Sequence, residues 1–454
     1  MRRTVDQQQK LVPIPGAHPH AEEYRQISAV LDDNPEINEL VHADLIAGGV
    51  DPTKGRDGMT AEQVVRATVV KQTEDFSYED LAFHIQDSAC FQSFCRIGID
   101  AAGTTKKTLQ NNIKKVRRET WEAINHILLD NARRRGIETG RKIRTDCTVE
   151  ETNIHEPSDS SLLYDVVRVL ARLMRHGREA GFDIDFVDHT QRAKRRAWEI
   201  EYAKTAYERE KKYRELVTLT NKTLRYAVSA ITELDNPTAA VDAFGLVLGW
   251  GLTTDLEHYI PLGRKVVKQT QRRVFWGEKV PPQDKIVSIF EPHTDIIIKD
   301  RRETLFGHKL CLTTGASGLV LDCMVLDGNP ADATLPVQVI GRQKLIYHRP
   351  PRQAAFDGGF TARQNLVDLK QLGVKDVMFH KKRSLKIPEM VKSSWVYKRL
   401  KRFRAGIEGN ISFLKRCFGL SRCTWRSEAS FKAYTWASVV SANLLVLARH
   451  LIET

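Results

Sequence analysis

Three carboxylic acids, Asp146, Asp357 and Glu408, lie at positions that suit chemistry better than packing. Asp146 is in the middle of the strictly alternating run K-I-R-T-D-C-T-V-E-E-T, which predicts a β-strand, and aspartate is a poor strand former. Clustered carboxylates form hard oxygen sites that suit Mg²⁺, and two such ions can promote phosphoryl transfer. The three acids together therefore predict a site for two Mg²⁺ ions, in which Mn²⁺ could replace them.

The two later acids are placed by a strand end and by a helix. The run Q-A-A-F-D-G-G-F puts Asp357 at the carboxyl end of a short apolar strand, which is where open α/β sheets hold ligand groups. Glu408 lies on a helix predicted over 395–418, where apolar residues recur at steps of three and four. Arg404 and Lys415 share one flank of that helix with Glu408. We expect these two cations to hold phosphates or to orient the acid.

Two glycines, Gly406 and Gly409, bracket Glu408. A glycine within a helix costs about 1 kcal/mol relative to alanine, so the pair predicts a close approach of another backbone. The same charges could instead form an ion-pair ladder on the surface of an ordinary amphipathic helix. The helix alone leaves both interpretations open, and the other two acids favour a site.

Composition limits the class of protein. The 454 residues carry a net charge of +13 and a pI of about 9.3, which favours a polyanionic partner such as nucleic acid. The seven cysteines include no C-x-x-C pair, which argues against a disulfide framework and a structural zinc site. The most apolar segment, 433–451, contains polar residues and predicts a buried helix, so no membrane association is expected. The N-terminus lacks a signal-peptide pattern, and a cytoplasmic protein is the expectation.

The chain changes character near residue 140, and we predict four segments. Residues 1–139 show helical patterns and form an all-α N-terminal DNA-binding domain. Residues 140–160 hold the first catalytic strand, and residues 161–284 are an insert of long, charged helices. Residues 285–454 carry the remainder of the catalytic domain with its C-terminal helices. An antiparallel meander is predicted there from short β-rich runs at 286–290, 295–299, 309–314 and 319–326.

Several cations are candidates for DNA contact. On the last helix of the N-terminal domain these are Lys114, Lys115, Arg117 and Arg118. A solvated helical face would account for the same cluster, but the charge of the whole chain favours DNA. The run F-G-H-K in the meander contains His308 and Lys309, which either approach the scissile phosphate or only cap the start of a strand.

These residues resemble the DDE transposases of bacterial insertion sequences. The segments T-D-C-T-V-E-E-T-N-I-H-E-P-S-D-S-S-L-L, F-D-G-G-F and F-R-A-G-I-E-G-N-I-S-F-L-K-R look closest to the ISNCY group. The C-terminal signature of such transposases is Tyr, two residues, Arg, three residues, Glu, six residues, Lys. Arg404, Glu408 and Lys415 match its last three positions, whereas Lys401 stands at the tyrosine position and is counted as a DNA-binding candidate. The resemblance implies an α/β RNase H-like catalytic domain, a mixed sheet with flanking helices.

The resemblance also implies a function: metal-dependent cleavage at the ends of an insertion sequence, followed by attack of the freed 3′-hydroxyl on target DNA. The expected partners are double-stranded DNA, as transposon ends and as target, and a second copy of the chain on DNA. A homodimer is expected because joining two ends needs two active sites close together. The expected location is the bacterial cytoplasm, on the nucleoid when DNA is bound.

Three other functions remain open from the sequence. An RNase H-like endonuclease could use the same acids without strand transfer. A decayed transposase could bind DNA without catalysis. A basic binding protein could carry the acids as structural ion pairs.

Overall fold

The computed structural model describes residues 1–6, 11–49, 51–55, 57–98, 104–238, 240–299, 303–381 and 383–453. The chain divides into two compact units, one of Met1–Glu151 with His308–Thr454 and the other of Thr152–Gly307. This division differs from the predicted one. The inserted unit extends beyond 161–284 at both ends, and residues 1–139 do not form a domain of their own, because they share one hydrophobic core with the catalytic segments.

The N-terminal part of the first unit is helical, as its patterns predict. Its helices are α1 (Pro19–Asp32), α2 (Glu36–Ile46), α3 (Ala61–Thr73), α4 (Tyr78–Asp87), α5 (Ala89–Phe94), α6 (Lys106–Ile113) and α7 (Arg118–Arg134). Capping boxes begin α3 and α4, where Thr60 bonds reciprocally with Gln63 and Ser77 with Asp80. These bonds satisfy N–H groups that the first turn of a helix leaves without partners.

A mixed sheet positions the candidate site. Its strands are β1 (Lys142–Thr152), β2 (Asp295–Lys299), β3 (Glu303–Thr314), β4 (Val320–Leu326), β5 (Gln353–Phe356), β6 (Asp376–Phe379) and β7 (Arg422–Cys423). β1, β5 and β6 are parallel and adjacent in that order, and β3 lies on the other side of β1. β4 is antiparallel to β3, and β7 pairs with β1.

The predicted antiparallel meander is confirmed for β2, β3 and β4. Its first predicted run, 286–290, is wrong, because no strand forms there within the described chain. Ile286 and Ile289 are buried in the core of the second unit, so their apolar character serves helix packing and not a sheet.

The catalytic part also contains α12 (Pro336–Tyr347), α13 (Arg363–Gln371), α14 (Ile387–Met390), α15 (Ser394–Cys417) and α16 (Glu428–Ile452). α16 packs against α1, α3 and α7. Its Asn443 accepts a hydrogen bond from the backbone N–H of Val320 at 2.8 Å and donates to Asn125 on α7 at 2.7 Å. α16 is long and apolar enough to cross a membrane, but 72% of its most apolar window is buried inside the protein. This burial agrees with the buried helix predicted for residues 433–451.

The second unit is a helical assembly with its own core. Its helices are α8 (Asp159–Glu179), α9 (Thr190–Glu201), α10 (Ala206–Asp235) and α11 (Ala243–Thr270). α10 packs against α8, α9 and α11, and the apolar residues between them are buried together. Ser158 caps α8 by accepting a hydrogen bond from Ser161.

Candidate active site

Two of the three acids are neighbours at the carboxyl edge of the parallel strands. In the register of β1 and β5, Thr145 lies opposite Phe356, so the residues that follow them, Asp146 and Asp357, are adjacent across the strands. β5 ends at Phe356, and the chain then turns through Gly358–Phe360. The sheet thus brings two distant acids to the edge where α/β sheets bind ligands.

The glycines after Asp357 are required by close packing. A Cβ atom on Gly358 would lie 2.7 Å from Cγ of Lys381, and one on Gly359 would lie 2.5 Å from Oδ2 of Asp332. The other carboxylate oxygen of Asp332 pairs with Nζ of Lys309 at 2.6 Å. The Lys309–Asp332 pair therefore packs against the turn that holds Asp357.

The third acid is carried by α15, whose apolar stripe packs as predicted. Leu400, Ile407 and Leu414 are buried, and Arg404 is only 9% exposed. One turn after Arg404, Glu408 accepts a hydrogen bond from Nη1 of that arginine at 3.0 Å. Glu408 is the most solvent-exposed of the three acids, with 67% of its side chain accessible.

The guanidinium of Arg404 joins all three acids. Its Nη2 lies 2.9 Å from Oδ2 of Asp146 and 3.1 Å from Oδ1 of Asp357, while Nη1 reaches Glu408. A surface ion-pair ladder would link Arg404 to Glu408 alone. The contacts with two strands distinguish this arrangement from such a ladder, because three carboxylates from separate segments share one cation.

Asp146 is the most buried of the three acids. Burial raises the pKa of its carboxyl group, and the carboxylates of Asp357 and Asp332 add to that rise. The charge of Arg404 and a hydrogen bond of 2.8 Å from the backbone N–H of Cys147 oppose it. The net shift of its pKa is upward, so a nearby positive charge favours the ionised form of this acid against its burial.

A second arginine, Arg144, fixes the helix against the sheet. It lies two residues before Asp146 and donates to the Phe403 carbonyl at 2.8 Å, to Thr314 Oγ1 at 2.9 Å and to Asn410 Oδ1 at 2.6 Å. The same guanidinium fills the space beside Gly406, where a Cβ atom would collide with it. The group that approaches Gly406 closely is therefore the side chain of Arg144, and not another backbone as the glycine pair predicted.

Gly409, the other glycine beside Glu408, is different. A Cβ atom there would meet nothing within 4 Å, and the residue is exposed. None of the described residues fills the space beside Gly409.

The fit of these acids to a metal ion rests on their chemistry. No group of three His, Cys, Asp or Glu side chains in the described parts of the chain is close enough to hold an ion as it stands. The three acids are gathered on a guanidinium instead. Their oxygens are the donors that Mg²⁺ and Mn²⁺ prefer, and they already converge on a shared positive charge. The residues fit a divalent cation once Arg404 gives up these contacts.

The other predicted contacts near the acids occupy different environments. Lys401 is exposed on α15. Lys415 lies near the buried Glu150. His308 is 3% exposed and packs edge-on against Phe431 with ring centroids 4.8 Å apart, so burial removes it from direct contact with DNA, contrary to expectation.

The N-terminal cations lie where α6 ends and α7 begins. The predicted residues there are Lys114, Lys115, Arg117 and Arg118. Nε of Arg117 lies 2.5 Å from the buried Asp44, and Arg118 pairs with Glu122 at 3.4 Å. Nζ of Lys114 lies 5.9 Å from the ring centroid of Trp425. Part of this cluster therefore serves the fold, and Lys115 is exposed.

Glu150 is a buried acid that no sequence pattern marks as functional. It is 0% exposed and accepts a hydrogen bond from Thr435 Oγ1 at 2.6 Å. Burial raises its pKa to about 8, while that hydrogen bond and the charge of Lys415 lower it. Alternation along β1 placed Glu150 on the same face as Asp146, and no local signal reveals that α16 covers this end of the strand.

Comparison with known families defines the class of protein. Residues 291–444, a range that includes Asp357 and Glu408, match a family described as "Transposase DDE domain". Residues 12–115 match a family described as "Transposase domain (DUF772)". No curated protein and no solved structure matches the chain significantly. The two matches together indicate that the chain is an insertion-sequence transposase with a DDE domain. A DDE domain implies an RNase H-like fold, with which the mixed sheet agrees.

Proposed function

We propose that this transposase cleaves DNA at the ends of its insertion sequence and joins the freed 3′-hydroxyl to target DNA. The observation that carries the proposal is the convergence of Asp146, Asp357 and Glu408 on the Arg404 guanidinium. A buried acid, a strand-end acid and an exposed helical acid gathered on one cation form a site open to solvent on the side of Glu408. We also propose, from sequence segments alone, that the element belongs to the ISNCY group.

The three acids would hold two divalent cations, Mg²⁺ or Mn²⁺, which when bound activate the attacking oxygen and neutralise charge on the departing oxygen. The chain's own residues prepare this state. Burial makes Asp146 strongly dependent on a cationic partner. Once its acids face another cation, Arg404 has its N–H donors free for a phosphate oxygen, to which a guanidinium binds in a bidentate manner.

The chain also holds the segments that carry the three acids in fixed positions. The hydrogen bonds of Arg144 tie β1, β3 and α15 together, which fixes Asp146 relative to Glu408. The Lys309–Asp332 pair packs against the turn that follows Asp357. Reacting groups held in place lower the entropy cost of the reaction, so these contacts act on rate through geometry.

The test is joining of a labelled 3′-hydroxyl end to plasmid DNA in Mg²⁺. We expect D146N, D357N and E408Q each to abolish joining while the protein still binds end DNA. The matched control is D368N on α13, whose carboxylate accepts a hydrogen bond from Gln364 at 2.7 Å, and it should join normally. If any of the three variants joined ends at the normal rate, the acid that it replaces would not belong to the active site.

The same assay separates the alternatives. Nicking without joining would indicate an endonuclease, and end binding without either reaction would indicate a decayed enzyme. We further propose a homodimer on DNA, because two ends must be joined together. Native gels with end fragments of two lengths should show a complex of mixed length, and its absence would contradict pairing.

A further inference from the structure

A cavity of about 350 Å³ lies beside the three acids, between the end of β6 and the first half of α15. Its lining residues are His380, Lys398, Lys401, Arg402, Arg404 and Ala405. Every charged residue in this set is a cation, and none is an acid. The cavity shares Arg404 with the acids, so the two sites are contiguous.

Three of the lining cations have no counter-charge among the residues that the structure describes. Within the described part of the chain, Lys398, Lys401 and Arg402 form no ion pair or hydrogen bond, and all three are exposed. On the same helix, Arg399 lies over the ring of Trp395 at 5.0 Å from its centroid and does not line the cavity. Cations concentrated without acids at one concave surface attract an anion.

His380 adds an independent observation. Its Nδ1 atom is buried and has no hydrogen-bond partner among the described residues. Phe356 and Phe379 are opposite each other in the register of β5 and β6, so His380 follows at the same edge as Asp357. A buried polar atom usually has a partner, and the residue that carries this one lines the cationic cavity.

The dimensions connect the cavity to a DNA strand at the acids. Lys401 and Glu408 are seven residues apart on α15, which is about 10 Å at a rise of about 1.5 Å per residue. That length corresponds to about three steps of a DNA strand, at about 3.4 Å each along the axis. The lining contains no Phe, Tyr or Trp side chain on which a base could stack, which favours the backbone of the strand.

We infer that this cavity binds a backbone phosphate of the DNA strand that is cleaved, about three nucleotides from the scissile bond. Lys398, Lys401 and Arg402 supply the positive charge, and His380 supplies a ring nitrogen at the base of the cavity. The inference rests on the proposed function, since it takes the acids to mark the scissile phosphate.

The experiment uses the full chain in EDTA, so that DNA is bound without being cut. In K401Q/R402Q, the slope of log affinity against log salt should fall by about 0.9 for the lost phosphate contact. R399Q removes one charge from the same helix outside the cavity and should leave the phosphate contact intact. Equal slope losses in K401Q/R402Q and R399Q would overturn the inference.

Ethylation interference then locates the phosphate. Ethylation of a phosphate within about three nucleotides of the cleavage point should block binding of the wild type. That one position should lose its effect in K401Q/R402Q and in H380A. If the variants gave the same interference pattern as the wild type, and the wild type still joined ends, the cavity assignment would be overturned and the proposed function would stand. A wild type that neither binds nor joins end DNA would overturn both.

Discussion

Replacement of Arg404 by methionine tests whether the three acids depend on a shared cation. The variant keeps most of the side-chain bulk and removes the guanidinium. The side chains of Arg404 and Asp146 are 11% and 17% exposed, and breaking a fully buried pair costs about 3–5 kcal/mol. The pairs with Asp357 and Glu408 are more exposed, at 37% and 67%, and contribute about 0.2–1 kcal/mol each.

Asp146 keeps its hydrogen bond from Cys147, which lowers the cost. We therefore expect R404M to lose about 3 kcal/mol in the free energy of unfolding, measured by urea denaturation in EDTA. Saturating Mg²⁺ should narrow that difference, because the ion takes over the neutralising role and binds the variant without competition from the guanidinium.

The control is R402M, which removes an exposed arginine of the same helix that has no ion pair among the described residues. It should change the free energy of unfolding by less than about 0.5 kcal/mol. The reasoning would be refuted by a loss below about 1 kcal/mol in R404M, or by a loss that Mg²⁺ does not change.

Three further predictions follow from single features of the structure. G409A should raise the free energy of unfolding by up to about 1 kcal/mol, because the added Cβ atom meets none of the described residues. G406A should lower the free energy of unfolding, because its Cβ atom collides with Arg144. Thermal melts of the two variants and the wild type test both expectations. Because burial raises the pKa of Glu150 to about 8, folded wild type keeps a proton that the unfolded chain has lost, so its stability should fall by up to about 1.4 kcal/mol per unit between about pH 5 and 8. E150Q should show no such fall in denaturation at several pH values. K309M should loosen the turn after Asp357 and slow joining with end binding retained, and equal rates in the joining assay would contradict that role.

The periodic elements of this protein were predictable from local patterns. Alternation identified β1 with Asp146 in its middle, and apolar spacing identified α15 with Glu408 on its flank. The F-D-G-G-F run placed Asp357 after a strand correctly. These features depend on neighbours within a few residues, which is the range that periodicity reports.

What escaped prediction depends on contacts between distant segments. Arg404 was expected to hold a phosphate or to orient Glu408, and its guanidinium contacts Glu408 but also reaches Asp146, 258 residues earlier. His308 looked like a candidate in a charged run, but its burial against Phe431 arises only when α16 packs. Glu150 alternates like an exposed residue and is covered in the fold. Tertiary packing determined all three, and a single sequence carries no local sign of it.

The position of α16 in the core has a consequence for how the protein is made. Residues 428–452 leave the ribosome after more than 400 others, yet they complete the packing of α1, α3 and α7. Arg449 pairs with Glu23 at 2.7 Å across a separation of 426 residues. Many domains fold while synthesis continues, but these helices must wait for a segment encoded far downstream. A message cut short before α16 should therefore yield a chain that is degraded, and not a DNA-bound competitor of the intact transposase.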